Sequence, residues 1–303
     1  MSDPRISFVY NSDIRNNGTP TLAFNSVKHQ LGWNDKVDRW RPEGELPERE
    51  LYIYVDDGRD DLEWKCPGPS AYWAVDTHLG YDYRLWKARQ FDKVYCAQKE
   101  GVEKMRKDGI KEVYWLPLAC NPMAHPNLSE MMLHKNKDDH TWGKGLDKKY
   151  DLAFVGFLNE GDGSDTSNNR IEWLDHAFSH FPNSWLAWQC FFEDMAVRII
   201  RARLGFNISI RNDLNMRFFE VLSTGTCLLT NTNVEGIDDL GFEEGKHFVG
   251  YKDKEELVDK TKYFLKNPME REGIARSGHE KVRSGHTYDK RMQRILDDFQ
   301  IAA

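Results

Sequence analysis

The 303-residue sequence contains no apolar run near the ~18 residues needed to cross a bilayer. Its start, Met1-Ser2-Asp3-Pro4-Arg5, lacks the charged-then-apolar layout of a secretory signal, so a cytoplasmic protein is expected. The five cysteines, Cys66, Cys96, Cys120, Cys190 and Cys227, are widely spaced, odd in number and include no C-x-x-C, which argues against a disulfide framework and a zinc knuckle. G-x-S-x-G, G-x-x-x-x-G-K-[ST] and G-x-G-x-x-G are all missing, so α/β-hydrolase, P-loop and dinucleotide chemistry have no sequence handle. A fixed repeat of roughly 20–50 residues is also lacking, which removes solenoids and propellers. Positive charge is not in excess: Lys+Arg total 42 against 49 Asp+Glu, net −7. Residues 1–150 carry −1 (23 against 24) and residues 151–303 carry −6 (19 against 25), so neither half reads as a nucleic-acid clamp and duplex DNA binding is not expected.

What is present is a globular composition, 40% hydrophobic and 30% charged, in a chain about twice the length of a typical ~150-residue domain. Aromatic residues reach 13%, with ten Trp, and serve either as core filling or as stacking faces for sugars and bases. Strand-like runs at Ile6–Tyr10, Leu51–Val55, Ala71–Val75, Lys93–Ala97 and Val113–Leu118 alternate with helical patterns near Tyr83–Gln90 and Lys99–Lys107. The pattern lapses between Cys120 and Lys149, then resumes with strands expected at Leu152–Phe157, Leu186–Cys190, Asn207–Ile210, Cys227–Thr230 and Phe248–Tyr251. Helices are expected at Arg170–His180, Glu193–Leu204, Asp213–Ser223, Lys254–Leu265 and Met269–Val282. This alternation implies parallel sheets covered by helices. The expected organisation is a Rossmann-like domain over 1–120, a linker over 121–149, a second Rossmann-like domain over 150–285, and a helix over 286–303 packing back toward the first domain.

In open α/β sheets ligands gather outside the carboxyl ends of strands, so the loops after strands are the candidate sites. The first, Asn11–Pro20, is polar and has Gly18 available for close backbone approach, either as a binding loop or as an ordinary surface turn. A second, Asp56-Asp57-Gly58-Arg59-Asp60-Asp61, is either a self-neutralised turn or a seat for a divalent cation. In the third, Asp76 and His78 stand together at a strand exit, where a carboxylate and an imidazole can orient hydroxyls or move a proton. The fourth runs from Asn207 to Asn231 and carries Arg217 and Glu220 three apart on one helical face, ahead of Gly225. By spacing alone that pair is equally a surface ion pair followed by a C-cap glycine. The His134–His140 cluster matches no zinc spacing.

The stretches Tyr72–Arg84, Trp115–Pro122, Tyr150–Gly156 followed by Arg170, and Asn215–Gly225 resemble the group 1 glycosyltransferases of the GT-B fold, specifically their CgeB-like, spore-maturation branch. The resemblance implies an α/β fold of two Rossmann-like domains with a cleft between them, and an enzyme moving a hexosyl or pentosyl group from a UDP- or GDP-sugar co-substrate. It further implies retention of anomeric configuration, no cofactor and no bound metal. Glu220 would grip ribose hydroxyls, and Arg217, Arg170, Gly156, Thr224 and Gly225 would surround the donor nucleotide. Gly18, Asn212 and Asp213 would meet sugar or acceptor, with Asn212 standing where many relatives carry a second glutamate, and His78 and Asp76 would serve at the reacting centre. The acceptor stays open between a small molecule, a protein, a polysaccharide and a modified DNA base. Two rivals remain: a metal-dependent transferase or hydrolase using Asp56, Asp57, Asp60 and Asp61, and a non-catalytic nucleotide- or sugar-binding protein.

Overall fold

A computed structural model describes residues 5–11, 13, 18–41, 45–58, 67–134, 147–156, 158, 165–209, 211 and 213–302. The chain divides into two compact units, Met1–Leu118 with Tyr288–Ala303, and Ala119–Thr287.

In the first unit the strands are β1 (Ile6–Val9), β2 (Val37–Trp40), β3 (Leu51–Val55), β4 (Ser70–Ala74), β5 (Lys93–Cys96) and β6 (Val113–Trp115). All pair in parallel, in the order β2-β1-β3-β4-β5-β6. Every residue of β1, β3 and β4 is buried, as a sheet covered on both faces requires. Helices α1 (Thr19–Asn25), which runs on into a π-helical turn over Ser26–Gln30, α2 (Tyr81–Ala88) and α3 (Lys99–Lys107) belong to this unit.

The second unit holds α4 (Leu128–His134), β7 (Tyr150–Val155), α5 (Asp165–His180), β8 (Trp185–Ala187), α6 (Phe192–Ile200), β9 (Ala202–Phe206), α7 (Met216–Ser223), β10 (Cys227–Asn231), β11 (Val249–Tyr251), α8 (Lys254–Lys266) and α9 (Pro268–Gly285). Its sheet is also all parallel, ordered β11-β10-β9-β7-β8. Each sheet therefore places its first strand between its second and third, and the strand order reverses beside that first strand. In the second unit this switch point lies between β7 and β9, outside whose carboxyl ends an α/β sheet binds its ligand. The core under it gathers Leu152, Phe154, Leu204, Phe206, Leu229 and Tyr251. The last helix, α10 (Tyr288–Asp298), is part of the first unit: Tyr288 Oη donates to Thr19 Oγ1 at 3.3 Å, and Arg291 donates to the carbonyls of Pro117 and Leu118 at 2.7 and 3.2 Å.

Three local readings differ from the structure. The helix expected over Glu193–Leu204 stops at Ile200, and β9 takes Ala202–Phe206 in place of a strand over Asn207–Ile210. The run Ile199-Ile200-Arg201-Ala202-Arg203-Leu204 suits either element, and pairing of Leu204 with Leu152 and Cys227 draws its second half into the sheet. A Cβ at Gly205 would overlap Val221 Cγ1, so glycine leaves room for this α7 side chain over β9. The short edge strand β2 has no counterpart among the expected strands. The segment expected as a linker folds into the second unit as far as α4, beginning with a turn in which Asn121 Oδ1 accepts the N–H groups of Met123 and Ala124 at 2.9 and 3.2 Å.

Candidate nucleotide-sugar site

Helix α7 starts behind Asn215, whose Oδ1 accepts the N–H of Phe218 at 3.2 Å. The Asn215 amide in turn donates to Asn207 Oδ1 at 3.2 Å, and Asn207 donates to Thr230 Oγ1 at 3.0 Å. Beside them Asn231 Oδ1 accepts the Ser209 N–H at 2.8 Å, and Tyr251 Oη donates to the Asn207 carbonyl at 2.7 Å. The exits of β9, β10 and β11 and the start of α7 are thereby joined in one polar network on the carboxyl side of the sheet.

One turn into α7, Glu220 is buried, its side chain 4% exposed. Oε2 lies 3.3 Å from Arg217 Nη1, and Oε1 lies 3.2 Å from His125 Nε2. The Asn121 N–H donates to His125 Nδ1 at 3.4 Å, and the ring turns Nε2 toward the carboxylate. His125 is itself held by its carbonyl, which accepts from Ser223 Oγ at 2.7 Å and from Arg283 Nη2 at 3.2 Å, while Arg283 also pairs with Glu130 at 2.6 Å. Burial acts to raise the Glu220 carboxyl, but the charge of Arg217 and the contacts of His125 outweigh it and hold Glu220 below the ordinary carboxylate range. The site thus contains an ionised glutamate with positioned partners.

Arg170 on α5 stands 6.0 Å over the Phe154 ring. Burial first, and then the like charge of Arg217, push its guanidinium down to about 10, with Asp213 acting the other way. Arg170, Arg217 and Asp213 thus lie within electrostatic reach of one another. Arg217 disfavours the charge on Arg170, a repulsion that a bound dianion would relieve. Gly156 follows β7 directly and donates to the Ala187 carbonyl at 3.1 Å; a Cβ there would lie 2.8 Å from the Phe154 ring, so a side chain at this point would displace that ring.

The structure separates other expected residues from this group. Thr224 and Gly225 sit at the far end of α7, where Gly225 takes φ 71° as a helix-terminating glycine and Thr224 Oγ1 donates back to the Val221 carbonyl at 2.7 Å. They line a different cavity of about 580 Å³, together with Lys148, Glu272, Arg276 and His279, at the entry end of β10. Asn212 lies outside the described residues.

In the first unit Asp76 and His78 follow β4, and Asp76 adopts φ 57°. Gly18 precedes α1 in extended conformation, and a Cβ there would meet nothing nearer than Pro20 Cδ at 3.7 Å, so the fold itself does not demand glycine. The acidic run after β3 behaves as internal anchorage. Asp56 accepts from Arg84 Nε at 2.5 Å, Tyr83 Oη at 3.0 Å, Tyr72 Oη at 3.3 Å and the Gly58 N–H at 2.9 Å. Asp57 accepts from Tyr54 Oη at 2.8 Å and the Asn11 N–H at 3.0 Å. With both carboxylates buried and engaged this way, the cation-seat reading loses two of its four ligands; Asp60 and Asp61, like residues 135–140 of the linker cluster, lie outside the described residues.

Residues 167–297 match the model of a family described as glycosyl transferase-like, a span running from α5 into α10 that includes Arg170, Arg217 and Glu220. No curated protein matches the chain significantly. Among solved structures it is similar to sucrose-phosphate synthase from Thermosynechococcus elongatus, at 12% identity with 99% of this chain and 98% of that one covered and a TM-score of 0.63. It is also similar to HepE from Anabaena in complex with UDP and glucose, at 10% identity, 99% and 100% coverage and a TM-score of 0.66. A glycosyltransferase from Rickettsia africae aligns at 8% identity, 99% and 98% coverage and a TM-score of 0.61. These likenesses define the architecture as GT-B, two parallel α/β units in one chain. The family match covers most of the second unit, from α5 onward, and runs into α10.

Proposed function

We propose that the protein moves a sugar from a uridine-diphosphate donor, held by the second unit, to a hydroxyl-bearing acceptor, with retention at the anomeric carbon, without a metal ion, and as a member of the CgeB-like branch. The observation that carries the reading is the buried, ionised Glu220 beside Arg217 and His125 on α7, a helix that starts at the carboxyl side of the sheet. An ionised carboxylate accepts two vicinal ribose hydroxyls, and paired guanidiniums match the oxygens of a diphosphate. The uridine choice draws support from HepE, whose structures hold UDP and UDP-glucose.

In the transfer the bond between the anomeric carbon and the diphosphate oxygen breaks, the acceptor oxygen bonds to that carbon, and the acceptor's hydroxyl proton passes to the departing diphosphate. Negative charge then grows on the departing diphosphate, where Arg217 and Arg170 stabilise it more than in the bound donor. Gly156 leaves room for the donor at the exit of β7. To Asp76, His78, Gly18, Asn212 and Asp213 we assign contacts with the transferred sugar or the acceptor.

Calorimetry with UDP, GDP and UDP-glucose, followed by mass spectrometry of a panel of sugars, peptides and modified nucleosides with and without EDTA, tests the proposal. UDP binding and a hexose mass added to one panel member in EDTA are the expected results. Failure to bind any nucleoside diphosphate would sink the donor assignment, and activity that EDTA abolishes and Mg²⁺ or Mn²⁺ restores would move the metal-dependent rival ahead.

A further inference from the structure

The two ends of the loop carrying Asp76 and His78 are tied to an ion pair that the transfer reaction as proposed does not use. Arg84, on α2, donates through Nε to Asp56 Oδ2 at 2.5 Å, and through Nη1 to the carbonyls of Leu79 and, at 3.4 Å, Gly80. The Val75 N–H donates to the same Asp56 oxygen at 3.4 Å. One end of the loop thus hangs on the carboxylate and the other on the guanidinium. Its middle is fixed from another element: Thr77 N–H and Oγ1 both donate to Gln98 Oε1, at 2.9 and 3.0 Å. Thr77 also packs against Gly101 of α3 so closely that any side chain at Gly101 would overlap it.

Within this frame Asp76 holds φ 57°, a conformation that a non-glycine residue keeps only where its surroundings impose it, and the Leu79 N–H closes the turn onto the Asp76 carbonyl at 2.8 Å. The Arg84 and Asp56 side chains are 8% and 1% exposed. A buried ion pair is a poor source of net stability, because desolvating both charges cancels much of their attraction, whereas it is a strong way to fix one geometry out of several.

We infer that Asp56 and Arg84 are positioning residues, which act on the transfer reaction by holding the Asp76–Gly80 loop, and His78 with it, in one conformation. The inference rests on the role assigned above to His78. It also gives the acidic run after β3 a function other than metal binding: Asp56 sets the exit of β4, while Asp57, through the Asn11 N–H, sets the exit of β1 on the opposite side of β3.

The test compares Arg84→Gln, Arg84→Lys and Gln98→Ala with wild type and with His78→Ala. Three measurements are made: amide exchange of residues 75–80 by mass spectrometry, UDP affinity by calorimetry, and UDP release from UDP-glucose. Gln98→Ala loosens Thr77 without touching the ion pair and serves if Arg84→Gln does not fold. Exchange across 75–80 should rise about tenfold or more in Arg84→Gln while peptides from β5 and β6 stay protected. UDP release should fall about 10- to 100-fold with UDP affinity unchanged, as a small displacement of a reacting group predicts. Arg84→Lys, which keeps the charge and loses the fork, should fall between. Arg84→Gln/His78→Ala should be no slower than His78→Ala alone, since two residues acting as one unit do not add. Unchanged exchange in a folded Arg84→Gln, additive losses in the double variant, or UDP affinity falling in step with turnover would each overturn the inference alone. Wild-type UDP release by His78→Ala would remove His78 from the reaction and overturn the inference together with the reading it rests on.

Discussion

His125 Nε2 stands 3.2 Å from Glu220 Oε1, so a residue from the turn after Ala119 and a residue from α7 share one buried contact in the second unit. Arg217 completes the arrangement from the other carboxylate oxygen at 3.3 Å. The glutamate is ionised without its ligand, and its two partners set the direction in which its remaining lone pairs can accept hydroxyls.

Glu220→Ala should weaken UDP binding by roughly 1.5–3 kcal/mol, the loss of charge-assisted hydrogen bonds to ribose. Calorimetry with UDP and with uridine checks it. An unchanged UDP affinity would leave Glu220 as a purely structural ion-pair member.

His125→Ala removes the Nε2 donor from Glu220 while leaving Arg217 in place. It should lower UDP affinity by roughly 1 kcal/mol, less than the full ~1.5–3 kcal/mol of a hydrogen bond to a charged group because Arg217 still holds the carboxylate. A melting-temperature scan separates this from global destabilisation. If UDP affinity matches wild type while the melting temperature drops, His125 supports only the fold.

The depressed carboxyl of Glu220 makes stability depend on pH in a defined direction. A carboxylate whose folded pKa lies below its unfolded value contributes stability that is fully present above the unfolded pKa, near 4.5 for Glu, and is lost as pH falls through the folded one. Glu220→Gln should therefore flatten the decline in melting temperature below about pH 4.5 and change its pH dependence little at neutral pH. Parallel acid limbs for the two proteins would refute it.

Arg170 is buried and its charge is disfavoured by Arg217. Arg170→Met keeps the apolar stem against Phe154 and removes the charge, so UDP affinity should fall. The loss should be larger for UDP than for uridine and should shrink as salt rises. Equal losses for the two ligands would place Arg170 away from the diphosphate.

Because the chain carries net −7 and its first half is near neutral, duplex DNA should bind no more tightly than micromolar near physiological salt. Fluorescence anisotropy across a salt series measures this. A sub-micromolar complex with a steep salt slope would make nucleic acid the leading acceptor class.

Much of the fold was readable along the chain because its signals are local. Buried parallel strands such as Leu51–Val55 and Cys227–Thr230 write themselves as short apolar runs, and helices such as the one over Lys254–Leu265 as a 3.6-residue period. Spacing alone also put Arg217 and Glu220 on one helical face, though not what lies opposite them. Where two periods overlap, as from Ile199 to Leu204, the chain leaves the element open, and pairing of Leu204 with its neighbours in β7 and β10 closes the question. The partners were not legible. His125 sits in a Pro- and Asn-rich stretch that reads as a linker, and only the packing of the turn at Asn121 against α7 brings it to Glu220. Asp56 reads as one acid in a charged run, and its pairing with Arg84 arises because α2 lies across the exits of β3 and β4. Periodicity records which side of an element is buried; which buried polar group meets which is decided only when distant elements close on one another, since each must find a donor or acceptor once water is gone.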